Sequence, residues 1–212
     1  CLENWLKEFK LHTPSVKAII LEGSFQQRFD TIMQCIHGTL PADVLITNYE
    51  LFTMSTEITN GNNEKKELSM AKFVGVNDWD MVVLDEAHYI KNTTAKRTFA
   101  VIDSFKDVPY KAIMSGTISA NKLHDVHLPT VFLNGGRTFT STLFTRKRDE
   151  NGDTYVTPLA AETLNEKFKT QFFNKEGWSF EPKHDTISEF RRKMENDGFL
   201  RFEKKECLSL PE

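Results

Sequence analysis

Met81-Val82-Val83-Leu84-Asp85-Glu86-Ala87-His88 decides how this chain of 212 residues is read. An apolar run passes without a gap into two carboxylates. A continuous run of this kind suits a strand covered on both faces, as in a parallel sheet. In an open parallel sheet, ligands bind outside the carboxyl ends of the strands. The acidic pair therefore stands where a nucleotide and its magnesium would be served. Asp85 would hold magnesium through water, because magnesium keeps much of its hydration shell. Glu86 would orient or deprotonate an attacking water. The competing reading is an acidic strand-to-helix turn in which Glu86 only favours a helix N-terminus.

Working outward, strands alternate with helices. Downstream, Thr94 to Phe105 reads as a helix and Tyr110 to Ser115 as a strand. Ser115-Gly116-Thr117 follows that strand, with Asn121 four residues beyond Thr117. Small hydroxyl residues at a strand end can bond a neighbouring acidic motif and report its state. Upstream, Leu2, Trp5, Leu6 and Phe9 have helical spacing, and Pro14 closes that unit. Val16 to Leu21 reads as a buried strand. Ser24 reads as an N-cap with Gln27 completing a capping box, and Phe25, Phe29, Ile32, Met33 and Ile36 share the apolar face behind it. Gly38 closes that helix. Asp43 to Tyr49 reads as a strand, Glu50 to Glu57 as a helix, and Asn60 to Glu67 as an exposed loop. The alternation predicts an α/β doubly wound, mostly parallel sheet. The pattern changes after Asn121. Asn134-Gly135-Gly136 breaks the chain, and helices near Ala160 to Phe173 and Thr186 to Glu195 predict a helical appendage on the C-terminal side. The expected division is 1–133 for the sheet lobe and 134–212 for the appendage with the start of a linker.

Composition narrows the function classes. Hydrophobic residues make up 39% and charged residues 27%, with 17 Phe, so a real core is affordable. The net charge of −3 excludes a strongly basic protein, so any nucleic-acid contact must come from local clusters. No apolar run is long enough to span a membrane. Cys1, Cys35 and Cys207 are too scattered for a zinc site or a disulfide framework and read as free thiols in a reducing interior. His124 and His127 stand three apart with no His-Glu-x-x-His, which argues against a zinc hydrolase, and no Gly-x-Ser-x-Gly elbow exists for acyl transfer.

Together these residues resemble the first RecA-like lobe of a Swi/Snf-type ATPase, within the superfamily-two helicases. Leu2-Glu3-Asn4-Trp5-Leu6-Lys7-Glu8-Phe9 is similar to the family's Leu-x-Asn-Trp-x-x-Glu-Phe helix. Ile46-Thr47-Asn48-Tyr49-Glu50 resembles its Ile-Thr-x-Tyr-Glu segment. Asp85 to His88 resembles its Asp-Glu-Ala-His box, and Ile90-Lys91-Asn92 continues the match. Leu200 to Pro211 resembles its late Leu-Arg-Arg-x-Lys segment. The resemblance implies ATP and magnesium as cofactors, with Asp85 on the metal and Glu86 on the hydrolytic water. It implies that His88 couples the nucleotide site to motion between lobes and that Ser115, Gly116 and Thr117 form a coupling motif. It places Thr47, Tyr49 and Asn121 near a DNA track. The implied partners are duplex DNA, in preference to RNA, and a second RecA-like lobe in the same intact chain. The implied location is intracellular: the nucleus in a eukaryote, the cytoplasm in a bacterial or viral setting.

Three departures stand out. Ile118 replaces the Pro of the family's Gly-Thr-Pro-x-x-Asn motif, and Phe202 replaces the second Arg of the late segment. The chain contains no Gly-x-x-x-x-Gly-Lys-Ser/Thr, the glycine-permitted backbone and lysine that cradle phosphates. The expectation is a segment that starts after that loop and stops before the second lobe, inactive alone and an ATPase when intact. Two alternatives stay open: a non-catalytic DNA- or protein-binding scaffold lobe, and an RNA helicase lobe. Arg146-Lys147-Arg148 and Arg191-Arg192-Lys193 read as solvated faces ahead of phosphate contacts, since acids lie close by. Phe168, Phe172 and Phe173 read as core, and Trp178 as packing.

Overall fold

The computed structural model describes residues 2–59, 64–116, 123–139, 144–148, 154–158, 161–176 and 179–196. Along the chain run α1 (Leu2–His12), β1 (Ala18–Ile20), α2 (Phe25–Ile36), β2 (Val44–Ile46), β3 (Ser55–Thr59), β4 (Lys65–Ser69), α3 (Met70–Gly75), β5 (Met81–Leu84), α4 (Lys96–Ser104) and β6 (Tyr110–Ile113). They are followed by α5 (His127–Asn134), β7 (Phe144–Arg148), β8 (Thr154–Pro158), α6 (Ala161–Phe172), β9 (Phe173–Glu176), β10 (Ser179–Pro182) and α7 (Ile187–Asn196). Two compact units emerge: residues 1–82 with 94–110, and residues 83–93 with 111–212. Among the described residues, no helix is long and apolar enough to cross a membrane.

The first unit is organised by a β-α-β crossover. β1 and β2 pair parallel, from Ala18↔Val44 to Ile20↔Ile46, and the Leu21 N–H extends the ladder to the Ile46 carbonyl at 2.8 Å. The crossover helix α2 starts where the sequence signals it. The Ser24 N–H donates to Gln27 Oε1 at 2.8 Å, and the Gln27 N–H donates to Ser24 Oγ at 3.3 Å. Gly23, at φ +92, precedes this box. At that φ a side chain would be strained, and a Cβ, 2.4 Å from Gln27 Oε1, would also push the Gln27 side chain out of the cap. Core positions of this unit include Ile32, Leu51, Met70 and Val101, with Phe52 packed edge-on against Phe105 at 5.3 Å.

Two sequence expectations need correction in this unit. Glu50 to Glu57 is not a helix. Tyr49–Thr53 forms one 3-10 turn, and Ser55–Thr59 then pairs antiparallel with Lys65–Ser69. The β-branched Thr56, Ile58 and Thr59 favour the strand, and the register sets Glu57 within 3.0 Å of Lys65 Nζ. The polar stretch expected to be all loop therefore contributes Lys65 to Glu67 to a strand, while its tip at 60–63 lies outside the described residues. On α2, the buried positions are Arg28 and Ile32, whereas Ile36 is exposed.

The second unit begins inside β5. β5 and β6 are paired neighbours. The Tyr110 N–H reaches the Asp80 carbonyl at 3.3 Å, and the Met114 N–H reaches the Leu84 carbonyl at 2.8 Å. That constant sequence offset means the two strands run parallel. Met81 and Val83 are exposed and Leu84 is buried, so β5 is not covered on both faces as its apolar run suggested. β6 is its one strand neighbour among the described residues. α5 ends on Gly135 at φ +69, whose N–H donates to the Val131 carbonyl at 2.8 Å. Beyond it come the two expected helices, α6 and α7, together with antiparallel hairpins β7–β8 and β9–β10. Phe139, Phe168, Phe172, Phe173 and Phe190 form one aromatic core with Val126. Each buried Phe contributes roughly 1.5–3 kcal/mol by area removed from water, so this cluster is the main source of cohesion here.

Candidate functional site

The acidic motif sits at the carboxyl end of β5. Asp85 is half-buried, and its Oδ1 accepts the Glu86 N–H at 2.9 Å. Glu86 then takes φ 51 and ψ 50, and it is the one non-glycine residue among those described with positive φ. For an L-residue this left-handed conformation costs roughly 1–2 kcal/mol. It turns the chain from the strand straight into the 3-10 helix Ala87–Ile90. The surroundings hold the turn in place. The Ala87 N–H donates to the Met114 carbonyl at 2.9 Å, and the Met114 N–H donates back to Leu84 at 2.8 Å. Ala87 and Ile90 are fully buried beneath it.

Two side chains converge on one atom of His88. His88 Nδ1 lies 3.1 Å from Glu86 Oε2 and 3.5 Å from Ser115 Oγ. Nδ1 carries at most one proton, and the carboxylate is both nearer and charged, so Glu86 is its acceptor. The ring also stacks on Tyr89, at 4.6 Å between centroids. Glu86 Oε1 has no partner among the described residues, which leaves one carboxylate oxygen to engage a water. The arrangement thus places a carboxylate, an imidazole and the hydroxyl at the end of the next strand in one contact cluster.

Of the sequence-predicted residues, Asp85, Glu86, His88, Ser115 and Gly116 come together in the second unit. Thr117 and Asn121 lie outside the described residues, as do Ile118, Trp178 and the whole segment from Leu200 to Pro211. Thr47 and Tyr49 belong to the first unit, directly after β2. Arg191 and Arg192 are exposed on α7, and Lys193 faces Glu189 at 3.6 Å, which fits a solvated face. Cys35 is half-buried, and burial pushes its thiol up from its ordinary value, in keeping with an inert packing role.

Sequence reasoning missed the ion pair that anchors the motif's helix. Lys91 Nζ lies 2.8 Å from Asp125 Oδ2, and both side chains are largely buried, at 25% and 13% exposure. The partners are 34 residues apart, and no local pattern joins them. Lys91→Met is expected to lower stability by about 1–3 kcal/mol by removing the cation paired with a largely buried carboxylate, with Lys91→Met/Asp125→Leu recovering part of the loss. Urea midpoints of the two variants check this. A double variant no better than the single one would remove the pairing argument.

The sequence profile described as SNF2-related domain matches residues 1–172. The chain belongs to the SNF2-related domain family. The match runs through both compact units and includes the acidic motif, the segment after β2 and the aromatic core up to α6. Among similar proteins, the ISWI chromatin-remodeling complex ATPase ISW1 of Saccharomyces cerevisiae is 28% identical over 164 residues, covering 74% of this chain and 13% of that protein. The ATP-dependent helicase FUN30 of the same yeast is 27% identical over 175 residues, covering 80% of this chain and 14% of that protein. Among solved structures, the Sulfolobus solfataricus SWI2/SNF2 ATPase core in complex with dsDNA is similar at a TM-score of 0.49 and 19% identity, covering 81% of this chain and 26% of that one. This SNF2-related chain therefore spans 13–14% of the length of those yeast relatives. The α/β elements described above are those of a RecA-like lobe, as the resemblance implied.

Proposed function

We propose that the full-length protein carrying this SNF2-related domain hydrolyses ATP to move along duplex DNA, with Asp85 to His88 as its Asp-Glu-Ala-His box. The observation that carries this reading is the contact path from Glu86 through His88 to Ser115, at the carboxyl ends of two parallel strands. A structural acidic turn needs neither the strained Glu86 backbone nor that path. Relatives described as a chromatin-remodeling complex ATPase and an ATP-dependent helicase support ATP use and a chromatin or nucleic-acid partner. In a eukaryotic cell the same relatives, with one described as the nuclear protein STH1/NPS1, support a nuclear location.

Asp85 is the residue suited to hold magnesium. Magnesium keeps much of its hydration shell and is commonly held through one or two carboxylates, water and substrate phosphates, which a single carboxylate at a strand end can serve. The bound ATP and magnesium supply the phosphoryl group and the screening of its charge. Glu86, with Oε2 held by His88, presents Oε1 to orient the attacking water and accept its proton. A shift of Glu86 moves the His88 ring, which lies within 3.5 Å of Ser115 Oγ, and so bears on Ser115 by contact. Ser115, Gly116 and Thr117 then act as the coupling motif toward a second lobe, and Thr47, Tyr49 and Asn121 act on the DNA side.

The test is hydrolysis by the full-length protein with duplex DNA or RNA of equal length. Turnover is expected to rise with duplex DNA and not with RNA. Stimulation by RNA alone would reassign the lobe to an RNA helicase, and no hydrolysis under any condition would leave a scaffold.

A further inference from the structure

Arg28 is a buried cation on the apolar face of α2, at 8% exposure, and it has no carboxylate partner among the described residues. Its Nε donates to the Gly23 carbonyl at 3.0 Å, and its Nη1 donates to Asn48 Oδ1 at 3.1 Å and to Thr47 Oγ1 at 3.4 Å. Gly23 follows β1, and Thr47 and Asn48 follow β2. The guanidinium therefore ties together the two segments that leave the carboxyl ends of the parallel pair.

Burying a guanidinium costs several kcal/mol unless its donors are satisfied, and an aliphatic side chain would fill the same space at less cost. The clamp also displaces a local interaction. Asn48 stands at the N-cap of the 3-10 turn Tyr49–Thr53, where an Asn side chain ordinarily caps the backbone, yet it makes no capping bond. Its oxygen goes to Arg28 instead. Thr47 Oγ1 accepts from a cation, which leaves its own O–H to donate and polarises it toward an anionic acceptor. Both features trade local helix stability for a fixed orientation of hydroxyl and amide groups at a strand end.

We propose that Arg28 is a positioning residue. It fixes the Thr47–Asn48–Tyr49 turn so that its hydroxyl groups meet the phosphodiester backbone of duplex DNA. This rests on the function proposed above. Arg28 itself does not touch the phosphate. Its planar fork holds three acceptors at once, which an ammonium point charge does not reproduce.

The test uses the full-length protein and its duplex-stimulated hydrolysis. Arg28→Lys keeps the charge and loses the fork. It is expected to raise the DNA concentration for half-maximal stimulation about tenfold, the worth of one net hydrogen bond, with turnover recovering at saturating DNA. Thr47→Val removes the acceptor hydroxyl at nearly constant shape. It is expected to reproduce that shift, and the double variant to add little to either single change. Arg28→Met is expected to leave the slope of log affinity against log salt unchanged. A slope smaller by about one would make Arg28 a direct phosphate contact and overturn the positioning role. Additive effects of Arg28→Lys and Thr47→Val would overturn it too, as would a wild-type DNA response in Arg28→Lys. If Arg28→Lys melts before assay, Thr47→Val still decides: a wild-type DNA response there ends the proposal. If the wild-type protein shows no response to duplex DNA, the proposed function falls, and this role falls with it.

Discussion

Glu86→Gln in the full-length protein is expected to bind ATP and to lose turnover by about 10²–10⁴-fold, the range removed with a general base. The substitution is nearly isosteric. It keeps an acceptor oxygen for His88 Nδ1, now 3.1 Å from Glu86 Oε2, and it leaves the left-handed backbone at φ 51 to be borne by a side chain of the same length. What disappears is the negative charge that orients a water and takes its proton. Phosphate binding would not suffer, because an anion beside the triphosphate opposes binding. Equilibrium nucleotide titration and single-turnover hydrolysis separate the two effects. Undiminished single-turnover hydrolysis would take Glu86 out of the catalytic site. Loss of binding and turnover together, with a lowered melting temperature, would instead make Glu86 a structural turn residue.

Local signals carried much of this site. The apolar run Met81 to Leu84 and the shorter runs at β1, β2 and β6 gave the strands, since a short β-branched stretch between turn residues has few other fates. Ser24 and Gln27 form the capping box that their spacing indicates. Phe168 and Phe172, one helical turn apart on α6, enter the core as that spacing requires. What stayed hidden depends on tertiary partners. Arg28 has the i, i+4 relation to Ile32 that marks a buried face, but a charged side chain there ordinarily faces solvent, and the acceptors that let it stay buried, Thr47 and Asn48, lie 19 and 20 residues on. The bond between Lys91 and Asp125 joins segments 34 residues apart. Glu86 occupies a conformation usually reserved for Gly or Asn, and no residue-type signal announces that. The hairpin β3–β4 replaced an expected helix because pairing across the turn outweighed the weak helical preference of Glu50 to Glu57.

His127 should make the second unit lose stability as pH falls below neutrality. Its ring is fully buried, stacked on Phe168 at 4.3 Å and edge-on to Phe139 at 6.0 Å, and neither ring nitrogen has a hydrogen-bond partner among the described residues. Burial lowers its pKa from 6.5 to about 3; the Leu164 backbone acts the other way, and the positive charge of Lys169 lowers it further. Because the folded value is depressed, the unfolded chain binds the extra proton between about 3 and 6.5, and stability falls with falling pH across that window. The full contribution is present above the unfolded value. Between pH 7 and pH 5 the expected loss is about 2 kcal/mol, or roughly 4–8 °C in thermal midpoint for a chain of this size. His127→Phe replaces the imidazole by a ring suited to the same aromatic stack and removes two unsatisfied polar atoms. It is expected to match or exceed the wild type at pH 7, and to exceed it by about 2 kcal/mol more at pH 5. Thermal melts of both proteins at the two pH values give the comparison, and their difference cancels the other histidines. Parallel pH profiles would mean that His127 keeps its proton, or finds a partner for it, inside the aromatic core.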